Sequence, residues 1–127
     1  MPVNRLVITP AVVGRDAVLA LAGELDMGSE TLLARAVREQ IEAGCRRIVL
    51  DCVGISFCDS RGFSALLEAR QQAREAKGAL VLAAVPEQLQ YVLTLLGADN
   101  IFTIASTVEQ ARLLLAASAA DNESGPA

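Results

Sequence analysis

The sequence predicts one α/β domain, with a mixed and mainly parallel β-sheet of about five strands and about four helices. From residue 17 onward, short runs of branched aliphatic residues alternate with longer segments whose apolar residues recur at helical spacing. The strand expected at residues 48–52 opens with a continuous apolar run, which is typical of a strand covered on both faces. The chain has 127 residues, of which 53% are apolar, and this suits the core of a single domain.

The first half of the chain should form two strands and one helix. We expect strands at residues 5–8 and 17–22, a loop at residues 23–28 and a helix at residues 29–43. Pro10 should close the first strand, which is added antiparallel to the sheet. Ser29 or Asp26 is available to cap the helix, and Gly44 supplies its left-handed stop.

The second half should continue the alternation. We expect a strand at residues 48–52, a helix at 60–77, a strand at 79–85, a helix at 86–96, an edge strand at 101–104 and a last helix. Gly78 should end the second helix, Pro86 should occupy the first position of the third, and Leu96 should lie on the inward face of that third helix. Ser106 and Glu109 have capping-box spacing at the start of the last helix.

The chain is organised around the stretch that joins the strand at residues 48–52 to the second helix. We expect this stretch, residues 51–62, to be a loop. Asp59 and Ser60 fall where the helix should begin, and both have side-chain oxygens that can cap free backbone amides. A phosphate on Ser60 would meet unpaired amides and the positive end of the helix dipole. Because the Asp26 loop also follows a parallel strand, Asp26 and Ser60 should share one surface.

Composition excludes several classes of function. The formal net charge of −4 and the sequence pI of about 4.8 argue against a nucleic-acid surface, so we expect no direct nucleic-acid partner. The chain has no histidine, so Ser-His-Asp and Cys-His arrangements are excluded, and we expect no catalytic residue and no Cys/His metal site. The three cysteines, Cys45, Cys52 and Cys58, should be reduced thiols.

The two termini of the sequence also carry expectations. The first residues lack a basic region followed by an apolar core, so we expect a cytoplasmic protein with no membrane insertion. Residues 118–127 are small and polar and cannot bury enough surface to offset their ordering entropy. The domain is therefore expected to span residues 1–117, with a disordered tail at residues 118–127.

Two motifs resemble one known family. Asp-Ser-Arg-Gly at residues 59–62 looks like the Asp-Ser-(Ser/Thr)-Gly-Leu signature of the STAS domain, and Gly-Glu-Leu-Asp at residues 23–26 looks like a second mark of that family. The resemblance spans roughly residues 5–117 and implies the STAS arrangement of the sheet. Arg61 departs from the signature, which usually has serine or threonine at this position. The family contains the bacterial anti-sigma factor antagonists and a regulatory domain of sulfate transporters.

The resemblance implies a binding protein that is switched by phosphorylation and is not an enzyme. An unphosphorylated anti-sigma factor antagonist binds an anti-sigma factor and thereby frees a sigma factor. That anti-sigma factor, or a related serine kinase, would phosphorylate Ser60 with ATP, and a metal-dependent Ser/Thr phosphatase would reset it. No cofactor is expected. We expect partner contacts at Asp26, Met27, Phe57, Asp59, Ser60, Arg61, Gly62 and Ser64.

Other functions and other roles stay open at this point. The alternative function is a cytoplasmic accessory subunit of a lipid or anion transport complex, and a third is a nucleotide-sensing domain. Asp59 is either the helix cap or the group that orients the Ser60 hydroxyl. Gly62 is either tolerated in a first turn or kept small for a partner backbone, and the resemblance favours the second. Phe57 is more often tucked on a core than exposed as an anchor. Arg61 either extends into water or meets an anion, which would be a phosphate on Ser60 or an acidic patch of the partner.

Overall fold

The computed structural model describes residues 6–123, which form one five-stranded sheet flanked by helices. The strands are β1 (Leu6–Val13), β2 (Asp16–Leu25), β3 (Arg47–Cys58), β4 (Ala79–Ala83) and β5 (Thr103–Ala105), and the helices are α1 (Ser29–Glu42), α2 (Ser60–Glu75), α3 (Glu87–Leu95) and α4 (Val108–Glu123). The strands lie in the order β1-β2-β3-β4-β5. β1 is antiparallel to β2 and the other neighbours are parallel, which confirms the predicted mixed sheet.

Both faces of the central strands are covered. Alternate residues of β3 point to opposite sides, as the two-residue period of a strand requires. Ile48 and Leu50 are fully buried in the larger core, which includes Leu33 of α1 and Leu66 of α2. Val49 lies in a smaller core on the other face, beneath α4. The continuous apolar run in the sequence did predict a strand buried on both faces.

β1 is longer than the sequence suggested. Pro10 does not close the strand but pairs with Leu19 in its middle, and β1 continues to Val13. A proline cannot donate to a strand ladder, yet it is tolerated on an edge strand, where its missing N–H faces away from the sheet. β1 is such an edge strand. The expected start of β1 at Arg5 lies outside the described residues.

β2 and β3 also extend beyond their predicted ends. β3 runs to Cys58, so most of the predicted loop at residues 51–62 is strand, and only Asp59 links β3 to α2. The two strands pair through irregularities between Ala20 and Ala22 and after Gly23, which let them continue together. Such bulges break the alternation of apolar and polar residues, and this made the extension look like a loop.

The helix ends differ from prediction in instructive ways. Gly44 has a φ of 98° and ends α1 as expected, but α2 ends at Glu75, and Lys77 rather than Gly78 is left-handed, with a φ of 63°. Gly78 is needed for another reason, since a Cβ there would overlap the carbonyl oxygen of Arg46. Pro86 is the N-cap of α3, one residue before the predicted position.

The C-terminal elements are displaced from their predicted limits. Leu96 is 54% exposed rather than inward-facing, because α3 has already ended. The cap of α4 lies one residue later than predicted: Gln110 N donates to Thr107 Oγ1 at 3.0 Å, and Ser106 N donates to Gln110 Oε1 at 2.6 Å. α4 continues to Glu123, contrary to the expected disorder from residue 118, and residues 124–127 lie outside the described part of the chain.

A charged cluster joins the amino ends of β2 and β3 to α4. Asp16 is fully buried, and its two carboxylate oxygens accept from Arg47 Nε at 2.5 Å and Arg112 Nε at 2.6 Å. Arg112 also donates to the Val13 carbonyl oxygen at 3.2 Å. We call Asp16, Arg47 and Arg112 the Asp16 cluster. No sequence motif indicated this cluster.

Candidate functional site

The candidate site lies where β2 and β3 end side by side. Leu25 pairs with Cys58 at the last step of the parallel ladder, and Asp59 N donates to the Leu25 carbonyl oxygen at 3.1 Å. The loop that contains Asp26 therefore lies beside the start of α2. This confirms the expectation that the two loops meet at one edge of the sheet. We call the group Asp26, Met27, Phe57, Ser60, Arg61 and Ser64 the serine surface.

The loop before α1 is fixed by a buried serine. The Ser29 hydroxyl donates to the Glu24 carbonyl oxygen at 2.9 Å and accepts from Asp26 N at 3.0 Å. The prediction that Ser29 or Asp26 caps α1 is therefore wrong, because neither side chain makes a capping hydrogen bond to this helix. Gly28 is the N-cap, with a φ of 99° that favours glycine. The loop is held from inside, which leaves Met27 72% exposed at its tip.

Asp59 is the N-cap of α2, which is the first of the two roles that the sequence left open for it. Its Oδ1 accepts from Arg61 N and from Gly62 N, both at 2.9 Å. These are two of the amides that a helix start leaves without an intrahelical partner. Contrary to the expectation from the sequence, these two amides are therefore not unpaired, because the Asp59 carboxylate accepts from both. A phosphate here would instead stand beside a carboxylate.

Ser60 occupies the first position of α2 and is exposed. The neighbouring serine in this helix is used differently, since the Ser64 hydroxyl donates to the Ser60 carbonyl oxygen at 3.0 Å. Ser56, on β3, donates its hydroxyl to the Gly23 carbonyl oxygen at 3.2 Å. Ser60 thus combines exposure with a helix start, whereas the other two hydroxyls bond to the backbone.

Gly62 is buried against the protein itself. A Cβ at this position would overlap the backbone carbonyl of Leu25, because the first turn of α2 lies directly on the end of β2. The backbone that leaves no room for a side chain here belongs to the protein itself. No binding partner is therefore needed to explain why this residue is glycine. Gly62 contributes to the serine surface indirectly, by setting how closely Ser60 approaches the Asp26 loop.

Arg61 lies beside an acidic side chain of α1. Its Nη1 lies 3.7 Å from Glu30 Oε1, and the two side chains are 60% and 31% exposed. Glu30 stands in the first turn of α1, where its charge complements the helix dipole. Consecutive crossover connections place α1 and α2 side by side. The order of the elements in the sequence could therefore have indicated that these two helix starts are neighbours. The ion pair partly neutralises the cation at the start of α2, so Arg61 is neither fully solvated nor committed to a phosphate.

Exposed apolar side chains border the serine. Phe57 is 48% exposed, so it is not tucked on the core as its residue type suggested. Beside it, a groove of about 300 Å³ lies between the end of β3 and α3, lined by Cys58, Leu89 and Tyr91 among others. Tyr91 is 64% exposed. Half-exposed aromatic side chains around a shallow groove are the kind of surface that protein partners use as anchors.

The site offers no reactive thiol. Burial, with the Asp59 carboxylate as a lesser cause, raises the pKa of Cys58 to about 11. Burial, with Asp51 as a lesser cause, raises the pKa of Cys52 to about 12. A thiolate is the nucleophilic form of cysteine, so both thiols stay protonated and unreactive near neutral pH. All three cysteines are free, as predicted.

Two further findings bound the chemistry of the described residues. Among residues 6–123, no group of three or more histidine, cysteine, aspartate or glutamate side chains is placed to hold a metal ion. No helix in that range combines the length and the apolar character needed to cross a bilayer. What the site does present is an exposed hydroxyl, a capped helix start and apolar neighbours, which together suit a protein-binding surface.

The fold is that of a small α/β domain, and comparison with known proteins places the chain in a family. The family model described as the STAS domain matches residues 8–111. The chain therefore belongs to the STAS domain family, and the resemblance noted in the two motifs is confirmed. A curated relative, "Putative anti-sigma factor antagonist BtrV" from Bordetella bronchiseptica, is 28% identical over 94 residues, covering 74% of this chain and 81% of the relative.

Solved structures share the fold at lower identity. The anti-sigma factor antagonist SpoIIAA in its unphosphorylated form is 21% identical, with a TM-score of 0.68 over 95% of this chain and 99% of that one. The Bacillus SpoIIAA in its phosphorylated form gives a TM-score of 0.65 at 22% identity, over 83% and 96% of the chains. A sulfate transporter family protein from Wolinella succinogenes gives 0.71 at 20% identity, over 90% and 93%. These likenesses show the fold.

Proposed function

We propose that the protein is an anti-sigma factor antagonist whose serine surface binds an anti-sigma factor while Ser60 is unphosphorylated. Binding would release a sigma factor, and phosphorylation of Ser60 would end it. The observation that carries the proposal is the exposed Ser60 hydroxyl beside the Asp59 carboxylate, with Met27 and Phe57 exposed around it. The similarity to BtrV and to SpoIIAA, the latter solved in both phosphorylation states, supports this choice.

The switch works through charge and bulk. A phosphate adds about −1.5 to −2 charge at neutral pH. It would stand beside Asp59, whose carboxylate already takes the amides of Arg61 and Gly62, so these donors cannot neutralise the new charge. A partner that covers this surface would bury a poorly compensated anion, at a cost of roughly 2 to 4 kcal/mol, or a loss of affinity of about 30-fold or more.

The proposed partners follow from this cycle. The anti-sigma factor is of the serine kinase type, and it or a related kinase phosphorylates Ser60 with ATP. A metal-dependent Ser/Thr phosphatase removes the phosphate. The protein itself supplies no catalytic group in this scheme, because its own contribution is the substrate hydroxyl and the binding surface.

Incubation with the cognate kinase and ATP tests which residue is phosphorylated. We expect one phosphate on Ser60 and none in Ser60→Ala. Ser106→Ala is the matched control, since it removes an exposed serine hydroxyl that lies outside the serine surface. A phosphate mapped by mass spectrometry to Ser56 or Ser64 would sink the assignment.

Calorimetry with the partner tests the switch and the shared surface. Ser60→Asp should weaken binding, whereas Ser106→Asp, which adds the same charge at the exposed start of α4, should not. Asp26→Lys should also weaken binding with the fold intact, because a partly exposed loop charge contributes little to stability. Asp99→Lys, in an exposed position after α3, is its control. Unchanged affinity in Asp26→Lys would place the Asp26 loop outside the interface.

A second candidate is a cytoplasmic accessory subunit of a lipid or anion transport complex. The fold similarity to the Wolinella succinogenes sulfate transporter family protein favours it. In that case the serine surface would dock on a transporter component without needing phosphorylation. A pull-down with wild type and Ser60→Asp separates the two: recovery of a histidine-kinase-like ATPase, lost in Ser60→Asp, supports the first, and recovery of a transporter ATPase with both supports the second.

A further inference from the structure

A groove of about 690 Å³ lies at the edge of the sheet opposite Ser60, where β2, β3 and β4 begin. Four cationic side chains line it: Arg15, Arg46, Arg47 and Lys77. We call it the basic groove. None of the described residues that line it is acidic, although the whole chain has a formal net charge of −4. Positive charge is thus concentrated in one concave place on an acidic protein, and this is a feature that attracts anions.

Two of the four cations are held in place by the fold. Arg47 is anchored through its Nε to Asp16 Oδ1, and its side chain stays 23% exposed. Arg46 Nη1 donates to the Ile41 carbonyl oxygen at 2.9 Å, so it also caps the end of α1. Both guanidinium groups are therefore positioned in advance and retain further donors, which lowers the ordering cost of binding an anion.

The other two cations are exposed and uncommitted. The side chains of Arg15 and Lys77 make no ion pair or hydrogen bond with any residue in the described range. Lys77 is moreover in the left-handed region, with a φ of 63°, where glycine or asparagine is the usual residue after a helix. Neutralising the end of α2 does not require this strained lysine, because Arg74 already lies in the last turn. Lys77 therefore occupies a position whose backbone conformation disfavours lysine.

The balance of charge in the groove stays positive after the buried Asp16 beside it is counted. Arg15, Arg46, Arg47 and Lys77 line the groove with four positive charges, and Asp16, which pairs with Arg47, subtracts one. The ends of α1 and α2 subtract about half a charge each, which leaves roughly two positive charges. Such a site matches a ligand with several negative charges rather than a single carboxylate. Its volume falls within the range of about 300–1,000 Å³ that is typical of small-molecule sites.

We propose that the basic groove binds a small polyphosphate ligand, either a nucleoside di- or triphosphate or an inorganic polyphosphate. Arg15 and Lys77 contact the phosphate chain from opposite walls, and Arg46 and Arg47 supply fixed donors at its base. Val12, which is 61% exposed, and Leu115 give the groove an apolar side that can cover a nucleoside. This site is independent of Ser60 and of the proposed partner, because it uses the other ends of the same strands.

Calorimetry with ATP, GTP and inorganic tripolyphosphate tests the proposal on the full chain. Lys77→Gly and Arg15→Ala should each weaken binding of the phosphate probes by about tenfold, the effect of losing one charge-assisted contact. Arg35→Ala, which removes an exposed cation from α1 outside the groove, should leave binding unchanged. Lys77→Gly should also keep or raise the midpoint of thermal unfolding, since glycine relieves the left-handed strain. The loss of affinity would then be separated from any loss of structure.

The location is tested by NMR titration with the same probes. We expect shifts in the amides of Gly44 and Gly78, which line the groove. Tighter binding of ATP or GTP than of tripolyphosphate identifies a nucleotide as the ligand, and equal binding identifies the phosphate chain alone. No binding at millimolar concentration, equal affinity of the variants and wild type, or shifts confined to the start of α2 near Ser60 would overturn the proposal. None of these outcomes depends on whether Ser60 is phosphorylated.

Discussion

The two ends of the β2–β3 pair hold charged residues in opposite ways. At the carboxyl ends, Arg61 and Glu30 face each other across 3.7 Å with both side chains in contact with water. At the amino ends, Asp16 is fully buried between Arg47 and Arg112 at 2.5 and 2.6 Å. A surface ion pair contributes little to stability, whereas removing one member of a buried cluster leaves an uncompensated charge. The charged residues at the amino ends therefore stabilise the fold, whereas the charges at the carboxyl ends can change at little cost in stability.

The largest expected effect is at the buried end. Asp16→Ala should lower the free energy of unfolding by about 3 kcal/mol, because it leaves two arginines without their shared carboxylate. Urea denaturation measures the loss, with the exposed Asp99→Ala as the control. A loss below about 1 kcal/mol would mean that water replaces the carboxylate, and the contrast between the two ends would disappear.

The second-largest effect on stability is expected at Gly62, at the carboxyl ends of β2 and β3. Gly62→Ala places a methyl group against the Leu25 carbonyl, and forcing the two apart should cost about 1 to 3 kcal/mol or more. Ser64→Ala, in the same turn of α2 and exposed, should change the stability by less than about 0.5 kcal/mol. Equal stabilities of the two variants in urea would show that α2 can lift from β2 at no cost.

A smaller effect concerns the cap of α2. Asp59→Ala should cost about 1 kcal/mol, because the amides of Arg61 and Gly62 lose their acceptor. Asp59→Asn keeps an oxygen in place and should cost less. Thermal unfolding distinguishes the two variants, and equal losses in Asp59→Asn and Asp59→Ala would show that charge, not capping, is the stabilising contribution.

The smallest effect is expected for the exposed ion pair. A double-mutant cycle on Arg61→Ala and Glu30→Ala should give a coupling energy below about 0.5 kcal/mol, decreasing further in high salt. A coupling above about 1 kcal/mol would make this pair comparable to a buried one. Arg61 would then be a structural residue rather than a charge available near Ser60.

The order and type of the elements could be predicted from the sequence because they depend on local patterns. Helical spacing, continuous apolar runs and Gly44 identified α1, α2 and the central strands. The length of β3 could not be predicted, because the bulges near Ala20 and Gly23 shift which side chains point inward. The left-handed Lys77 was missed for a related reason: the neighbouring Gly78 matches the usual rule but serves the close approach to Arg46.

The candidate site shows the same division. Asp59 and Ser60 were placed at a helix start from local chemistry alone, and the structure agrees. The contacts of Arg61 and Gly62 depend on Glu30 and Leu25, which are more than 30 residues away in the chain. Local spacing carries no information on such neighbours. Asp16 is the extreme case, since it looked like an ordinary turn residue although its partner Arg112 is separated from it by 96 positions.

Backbone carbonyl groups of other segments approach α2 closely near both of its ends. A methyl group at Gly62 would overlap the Leu25 carbonyl, and one at Gly78, just beyond the helix, would overlap that of Arg46. Close backbone contacts near both ends therefore hold the helix in place against the sheet. We expect association of a partner with the serine surface to show a single exponential phase in stopped flow, with no slow gating step. The turnover of such complexes would then be set by how fast the bound partner dissociates.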